Sequence, residues 1–357
     1  MNNAKAAVII VTYNAEYYLQ DCLESLLKTD YPAESWKIII IDNASRDFTQ
    51  KILNDYKVTY PEQIELVCQE NNTGFAAGNN LGIKRAIEKG YEYVYLLNQD
   101  TVVEKDFLRE AVKTICEDEN TGGVQSLLML YPDKQLINST GNNIHFLGFG
   151  ITGDYKKECS EVNFGNGKKE IGFASGAGCL FRVSALQKAG LFNENYFMYC
   201  EDLDICWRMK LAGYTFLLSR SSVVYHKYKF TSSKKKFYYI EKNRLRTILQ
   251  NYKTGTLAII LPALLFMEAG LLAYSLLKGW FVEKLKVYAY FMNPKNIKEI
   301  KACRKAVQET RIINDNKIIN GFISAVEFDE VDNVILKYIA NPVLKAYWAL
   351  AKKIISW

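Results

Sequence analysis

The sequence predicts an α/β fold, a mostly parallel sheet flanked by helices, with a C-terminal helical region. Three observations predict it. Short apolar runs rich in β-branched residues alternate with segments whose apolar residues recur at helical spacing. The apolar runs are continuous, as expected of strands covered on both faces. Near Lys234 the alternation stops, and the rest of the chain reads as helix.

Taken in order, "AAVIIVTYN" is a strand ending in turn-formers, and "EYYLQDCLESLLK" a helix with Tyr18, Cys22, Leu23, Leu26 and Leu27 on one side. "WKIIIIDNAS" is a second strand. "RDFTQKILNDYKVTY" is a helix with Ser45 and Asp47 as caps. "IELVCQENN" is a third strand, "GFAAGNNLGIKRAIEKG" a helix closed by Gly90, and "YEYVYLLNQDT" a fourth strand. Each strand ends in a polar cluster: "TYN", "DNAS", "ENNTG", "NQDT". In an open α/β sheet the carboxyl ends of the strands form the ligand crevice, so four such clusters define one site. Residues 120–175 are irregular and expected to form loops and a hairpin over it. "IGFASGAGCLFRVSALQKAG" then reads as strand, turn and helix.

At 357 residues, 49% hydrophobic and 24% charged, the chain is ordinary globular protein, neither fibrous nor broadly disordered. Eight cysteines without a C-x-x-C pair read as reduced, packed thiols. Two histidines, neither with a cysteine at ligand spacing, argue against zinc. "NNTGFAAGNN" lacks the GK[ST] of a phosphate-binding loop and is not G-x-G-x-x-G, which disfavours ATPases and dehydrogenases. As a glycine-containing helix start it still favours an anion. The apolar run at the N-terminus is too short for a signal-peptide core, so a cytoplasmic location is expected.

"CEDLDICWRMKLAGY" sets Glu201, Asp202 and Asp204 among apolar residues. A helix N-terminus favours such charges. Asp204 and Arg208, four apart, can pair. Asp202 lies about 200° around the helix from Asp204, outside that pair. A carboxylate in a partly apolar pocket has a raised pKa and suits general-base work. Trp207 either stacks on a ligand or fills core.

The pieces "VIIVTYNAEYYLQDCLESLL", "IIIIDNASRDFT", "NNTGFAAGNNLGI", "LLNQDT", "GAGCLFRVSALQKAGLFNENYF" and "CEDLDICWRMKLAGY" resemble the family 2 glycosyltransferases, in that family's order and over most of residues 6–226. The nearest resemblance is to rhamnosyltransferase-like enzymes of bacterial surface polysaccharides such as O-antigen. The resemblance implies the GT-A nucleotide-sugar-binding fold, with a catalytic domain at 1–234 and a helical region at 235–357 that associates with membrane or oligomerises.

It also implies an inverting transfer from a nucleoside diphosphate sugar, dTDP-rhamnose or a UDP-hexose, to a lipid-linked glycan. Asp202 would be the base and Glu201 an orienting group. Thr12, Tyr13, Asn14, Asp42, Asn43, Asn72, Gly74, Asn79 and Asn98 would contact the donor. Trp207 and Gly176 would lie on the acceptor side. "NQDT" stands where the family has D-x-D. Asp100, with His226, would hold Mg2+ or Mn2+ against the diphosphate, only weakly in the free enzyme because Asn98 replaces the first acid. A non-catalytic nucleotide-sugar-binding or scaffold protein on the same fold is the alternative. No nucleic-acid partner is expected.

Net charge is +6, but residues 227–253 carry nine Lys/Arg and one Glu, or +8, which leaves −2 elsewhere. This segment precedes "TLAIILPALLFMEAGLLAYSLL" (256–277), long enough to span a bilayer yet interrupted by Pro262, Glu268 and Gly270. Three arrangements stay open: a monotopic anchor, a helical bundle or homodimer interface, and a single span, against which Glu268 weighs. In the first, Lys234–Lys236 and "EKNRLR" would meet anionic headgroups at the inner face of the plasma membrane.

Overall fold

The computed structural model describes residues 4–164, 169–228, 232–327, 334 and 336–357. The chain forms two compact units. The first comprises Met1–Asn142, Thr152–Met198 and Tyr214–Lys229; the second comprises Asn143–Ile151, Tyr199–Gly213 and Phe230–Trp357.

The first unit begins with four strands and the helices between them. These are β1 (Ala6–Thr12), α1 (Leu19–Leu26), β2 (Trp36–Asp42), α2 (Thr49–Thr59), β3 (Ile64–Cys68), α3 (Gly74–Glu88) and β4 (Tyr93–Asn98). The expected parallel pairing is present: β1 pairs in parallel with β2 and β4, and β2 with β3. Residues Ala6–Ile10 and Ile38–Ile41 are all fully buried, which is why these strands read as unbroken apolar runs. Helix α1 buries Leu19, Cys22, Leu23 and Leu26 on one face. On α3, a Cβ at Gly82 would lie 2.5 Å from the Ile9 side chain, so glycine there lets the helix sit close on β1.

There follow β5 (Thr101–Val103), α4 (Phe107–Cys116), β6 (Thr121–Leu130), β7 (Ile137–Ser139), then β8 (Asn142–Ile144) and β9 (Gly150–Thr152), which pair with each other and belong mostly to the second unit, and β10 (Lys169–Glu170), β11 (Gly178–Arg182) and α5 (Val183–Ala189). The sheet order is β10-β12-β6-β11-β4-β1-β2-β3, where β12 is Thr215–His226. Here the sequence reading needs correcting. Residues 121–130, expected as loop, form the buried strand β6, parallel to β12 and antiparallel to β11. Its Gln and Ser are satisfied from afar. Gln125 donates to Ser139 and accepts from the Ser175 N–H (2.9 Å), and Ser126 bonds Tyr95 (2.5 Å) and Ser222 (2.6 Å).

The second unit contains α6 (Glu201–Leu211), α7 (Lys234–Asn251), α8 (Thr254–Leu277), α9 (Phe281–Met292), α10 (Pro294–Thr310), α11 (Asp315–Ile318) and α12 (Asn341–Ile354). It takes in α6, ahead of the expected boundary at 234/235.

Its core is polar to an unusual degree. Glu241, Lys242, Asn243, Arg244, Arg246, Thr247, Gln250 and Asn251 of α7 are all buried. Arg244 donates to both oxygens of Glu241 (3.0 Å each) and to Glu268; Lys284 meets Glu241 (2.5 Å) and Glu268 (2.8 Å). Burial alone would raise the Glu241 carboxyl, but Arg244 and Lys284 outweigh it and hold it down at about 2. Arg246 pairs with Glu299 and Tyr290. The basic "EKNRLR" segment is therefore not a lipid-facing patch; its charges are spent inside the unit. Lys234 and Lys235 remain exposed.

Removing one member of a buried ion cluster strands the others. Arg244→Met should lower stability by about 3–5 kcal/mol in chemical denaturation, and a loss below about 1 kcal/mol would show that the cluster does not hold α7 to α8 and α9.

Candidate active site

The parallel register sets three strand ends side by side in the first unit. Thr12 is level with Asp42, and Val11 with Asn98. The Thr12 hydroxyl donates to Asp42 Oδ1 (3.0 Å). Ser45 donates through its hydroxyl (2.5 Å) and its N–H (3.1 Å), and Gln50 adds a bond to Oδ2 (2.9 Å). Asp42 is fully buried, so its carboxylate braces the two turns. Ser45 and Gln50 were not among the site residues expected from the sequence.

Tyr13 is 44% exposed, yet its backbone is clamped. Its N–H donates to Gln99 Oε1 (2.8 Å) and its carbonyl accepts from Gln99 Nε2 (3.3 Å). Asn14 takes a positive φ of 49°, and its Oδ1 accepts from the Arg46 N–H (2.9 Å). An exposed ring on a fixed backbone is a suitable platform for a planar ligand. Gln99 lies inside "NQDT" and was legible there.

Asn43 joins β2 to the start of α3. Its Nδ2 donates to the Gly74 carbonyl (3.0 Å), and its Oδ1 accepts from Gln69 (2.6 Å) and from the Thr73 N–H (3.2 Å). Gly74 has φ +88°, and a Cβ there would lie 2.5 Å from the Phe197 carbonyl oxygen, so only glycine fits.

The expected anion site at this helix start is corrected by the donors' partners. The Gly74 N–H is taken by Asn72 Oδ1 (2.9 Å), and those of Phe75 (2.6 Å) and Ala76 (3.3 Å) by the Phe197 carbonyl. A helix end capped by protein has no free N–H groups for a phosphate. Asn79 is buried and donates to the Phe75 carbonyl (2.9 Å). Gly176 is buried against the Phe75 ring.

Asp100 follows β4, and His226 ends β12. His226 Nε2 lies 3.3 Å from Asp100 Oδ1, while Nδ1 lies 2.9 Å from Asn138 Oδ1. The amide oxygen of Asn138 accepts from Nδ1 and leaves Nε2 turned to the Asp100 carboxylate, to which it donates when it carries a proton. Burial pushes the Asp100 carboxyl up, but His226, a backbone N–H and Lys227 together hold it below the usual range. A carboxylate and an imidazole at this distance can also share a divalent cation, which would take the place of the Nε2 proton. Among the described residues no group of three or more His, Cys, Asp or Glu could hold a metal ion. Two protein ligands would leave most of a divalent ion's positions to other oxygens.

In the second unit, Asp204 and Arg208 form the expected pair, Nε–Oδ2 2.8 Å, both buried, with Asn251 donating to the other oxygen (3.2 Å). Trp207 is fully buried between Tyr252 and Phe322, edge-to-face at 4.8 and 4.7 Å. It fills core and offers no face to an acceptor, so that expected role is withdrawn. Tyr199 and Cys200, just ahead of α6, both take positive φ (69° and 64°). Such backbone strain in non-glycine residues gathers at functional sites.

Glu201 is buried with Oε2 unpartnered. Burial first, then the Asp202 and Asp204 charges, push its carboxyl up to about 8. Asp202 is half-buried and accepts from the Leu203 N–H (2.8 Å). Neighbouring carboxyls in unlike surroundings divide acid and base roles between them.

Because Glu201 stays protonated in the folded state up to about pH 8 but ionises near 4.5 when unfolded, the folded state binds the extra proton in that window. Stability linked to Glu201 is thus present below pH 4.5 and lost as pH rises towards 8. Glu201→Gln should raise the urea midpoint at the upper end of the window and change it little at the lower end. An equal effect at both ends would count against a neutral Glu201.

The family model for glycosyl transferase family 2 matches residues 7–190. The poly-beta-1,6-N-acetyl-D-glucosamine synthase of Staphylococcus epidermidis is 29% identical over 206 residues, 58% of this chain and 46% of that one. The rhamnosyltransferase WbbL of Escherichia coli (strain K12) is 27% identical over 218 residues, 58% of this chain and 77% of that one. This chain thus spans about half the length of the first of these relatives. The crystal structure of GalNAc-T7 with UDP, GalNAc and Mn2+ superposes with a TM-score of 0.60 at 16% identity, covering 82% of this chain and 57% of that one. A match over half of the chain, on a sheet of this topology, places the protein: it belongs to glycosyl transferase family 2 and has the GT-A fold.

Proposed function

We propose that the protein is an inverting glycosyltransferase. It moves a sugar from a nucleoside diphosphate donor, dTDP-rhamnose or a UDP-hexose, to a hydroxyl of a lipid-linked glycan at the inner face of the plasma membrane. The observation that supports this is the strand register, which sets Thr12 level with Asp42 and Val11 level with Asn98 at the carboxyl ends of β1, β2 and β4, just before Tyr13 and Asp100. The relatives' names, a glucosamine-polymer synthase and a rhamnosyltransferase, support the reaction type. The UDP and Mn2+ in the GalNAc-T7 structure support the donor class and the cofactor.

In this reading the base stacks on Tyr13, whose backbone Gln99 keeps in place. Asp42 and Asn43 hold the turns, with Asn14 and Thr12, so that this platform does not move. Asn98 contacts the ribose or the sugar. Mg2+ or Mn2+ held by Asp100 and His226 would neutralise charge on the departing diphosphate. Asp202 takes the proton from the acceptor hydroxyl. The oxygen attacks the anomeric carbon, and the bond to the diphosphate breaks on the opposite side. Glu201, kept neutral by burial, donates a hydrogen bond that orients the reacting groups.

Three measurements test the assignment. Asp202→Asn should lower transfer by about 10²–10⁴-fold with donor affinity unchanged; turnover within threefold of wild type, about 0.7 kcal/mol, would remove Asp202 from the role of base. Asp100→Ala and treatment with EDTA should each weaken donor binding in calorimetry. Unchanged affinity in both would show that no metal acts through Asp100. Nucleotide release across a panel of UDP and dTDP sugars would identify the donor, and no release from any of them would favour a binding protein.

A further inference from the structure

In the second unit, α8 is turned inside out. Its buried positions include Thr256, Ile260, Ala263, Met267 and Ser275. Its one charged side chain, Glu268, is drawn inward to Arg244 and Lys284. From Ala258 to Leu277 every exposed position is apolar or glycine, and Leu265 and Leu277 are 61% and 87% exposed. Helices α9 and α12 pack beside α8 and add exposed Val282, Leu285, Met292, Val343, Leu350 and Ile354. Lys278, Lys286, Lys345 and Lys353 are exposed around these helices, and no Asp or Glu of α8, α9 or α12 is exposed.

We propose that the outer face of α8, with α9 and α12, seats the second unit on an anionic bilayer, with α8 lying in the interfacial plane. A contiguous apolar face bordered by lysines matches acyl chains below and anionic headgroups around them. A second copy of the chain fits less well: a self-complementary contact would face the same lysines with no exposed acid on these helices to pair with them. Spanning fits less well still, since it would carry Glu268, Arg244 and Lys284 into hydrocarbon. The inference deepens the reading of a lipid-linked acceptor by naming the surface that meets the lipid, and it stands on the second unit alone.

The test is co-sedimentation of the full chain with phosphatidylcholine vesicles, with and without phosphatidylglycerol. Binding should need the anionic lipid and weaken with salt. Leu265→Glu with Phe266→Glu should lower it at least about tenfold. Each of Lys345→Gln and Lys353→Gln should lower it up to about fivefold. Both side chains changed on α8 are exposed, and unchanged circular dichroism and unchanged transfer to a small soluble acceptor would show the fold is kept. Wild type that ignores both vesicles, or a Leu265→Glu/Phe266→Glu variant that binds like wild type, would overturn the proposal. So would a dimer in light scattering that the same variant splits. Vesicle binding without sugar transfer to any acceptor would overturn the proposed function and support this surface.

Discussion

The parallel register of β1 with β2 and β4 is the constraint on which the first unit's site depends. A slip of one residue would turn every side chain of β1 to the opposite face of the sheet. It would also separate Thr12 from Asp42 and the Tyr13 backbone from Gln99. The consequences run outward from there. Asp42 holds Ser45; Asn43 holds Gln69, Thr73 and Gly74; the first turn of α3 then receives the Phe197 carbonyl. Further along α3, Asn80 grips both backbone groups of Phe192 (2.8 and 3.0 Å), which fastens the approach to the same loop. Order in the loops is thus inherited from the sheet through a few buried amides.

The second unit solves a different problem. It buries the charges of α7 and leaves the side chains of α8 outside. Two basic and two acidic side chains, Arg244, Lys284, Glu241 and Glu268, compensate one another within a few ångströms. Replacing such a cluster with apolar residues is often neutral for stability, so its value lies in fixing one arrangement of α7, α8 and α9. It also changes the meaning of composition. The +8 segment looked like a surface for anions, yet much of it is internal, and the exposed lysines around the apolar face, Lys278, Lys286, Lys345 and Lys353, lie outside that segment.

Much of this was legible in the sequence because it is local. Continuous apolar runs gave the strands, helical spacing gave α1, polar clusters marked the strand ends, and a four-residue interval gave the Asp204–Arg208 pair. The length and composition of 256–277 gave α8. What tertiary structure alone decided is which polar groups are already used. Asp42 is consumed by Thr12, Ser45 and Gln50, and the α3 N–H groups by a carbonyl more than a hundred residues away in the chain. Trp207 is enclosed by Tyr252 and Phe322, and β6 hides its Gln and Ser through partners 14 to 96 residues distant. Periodicity reports how a segment meets its own neighbours. Whether a hydrogen-bonding group faces a ligand or the protein depends on partners brought close only by folding, and no local pattern records them.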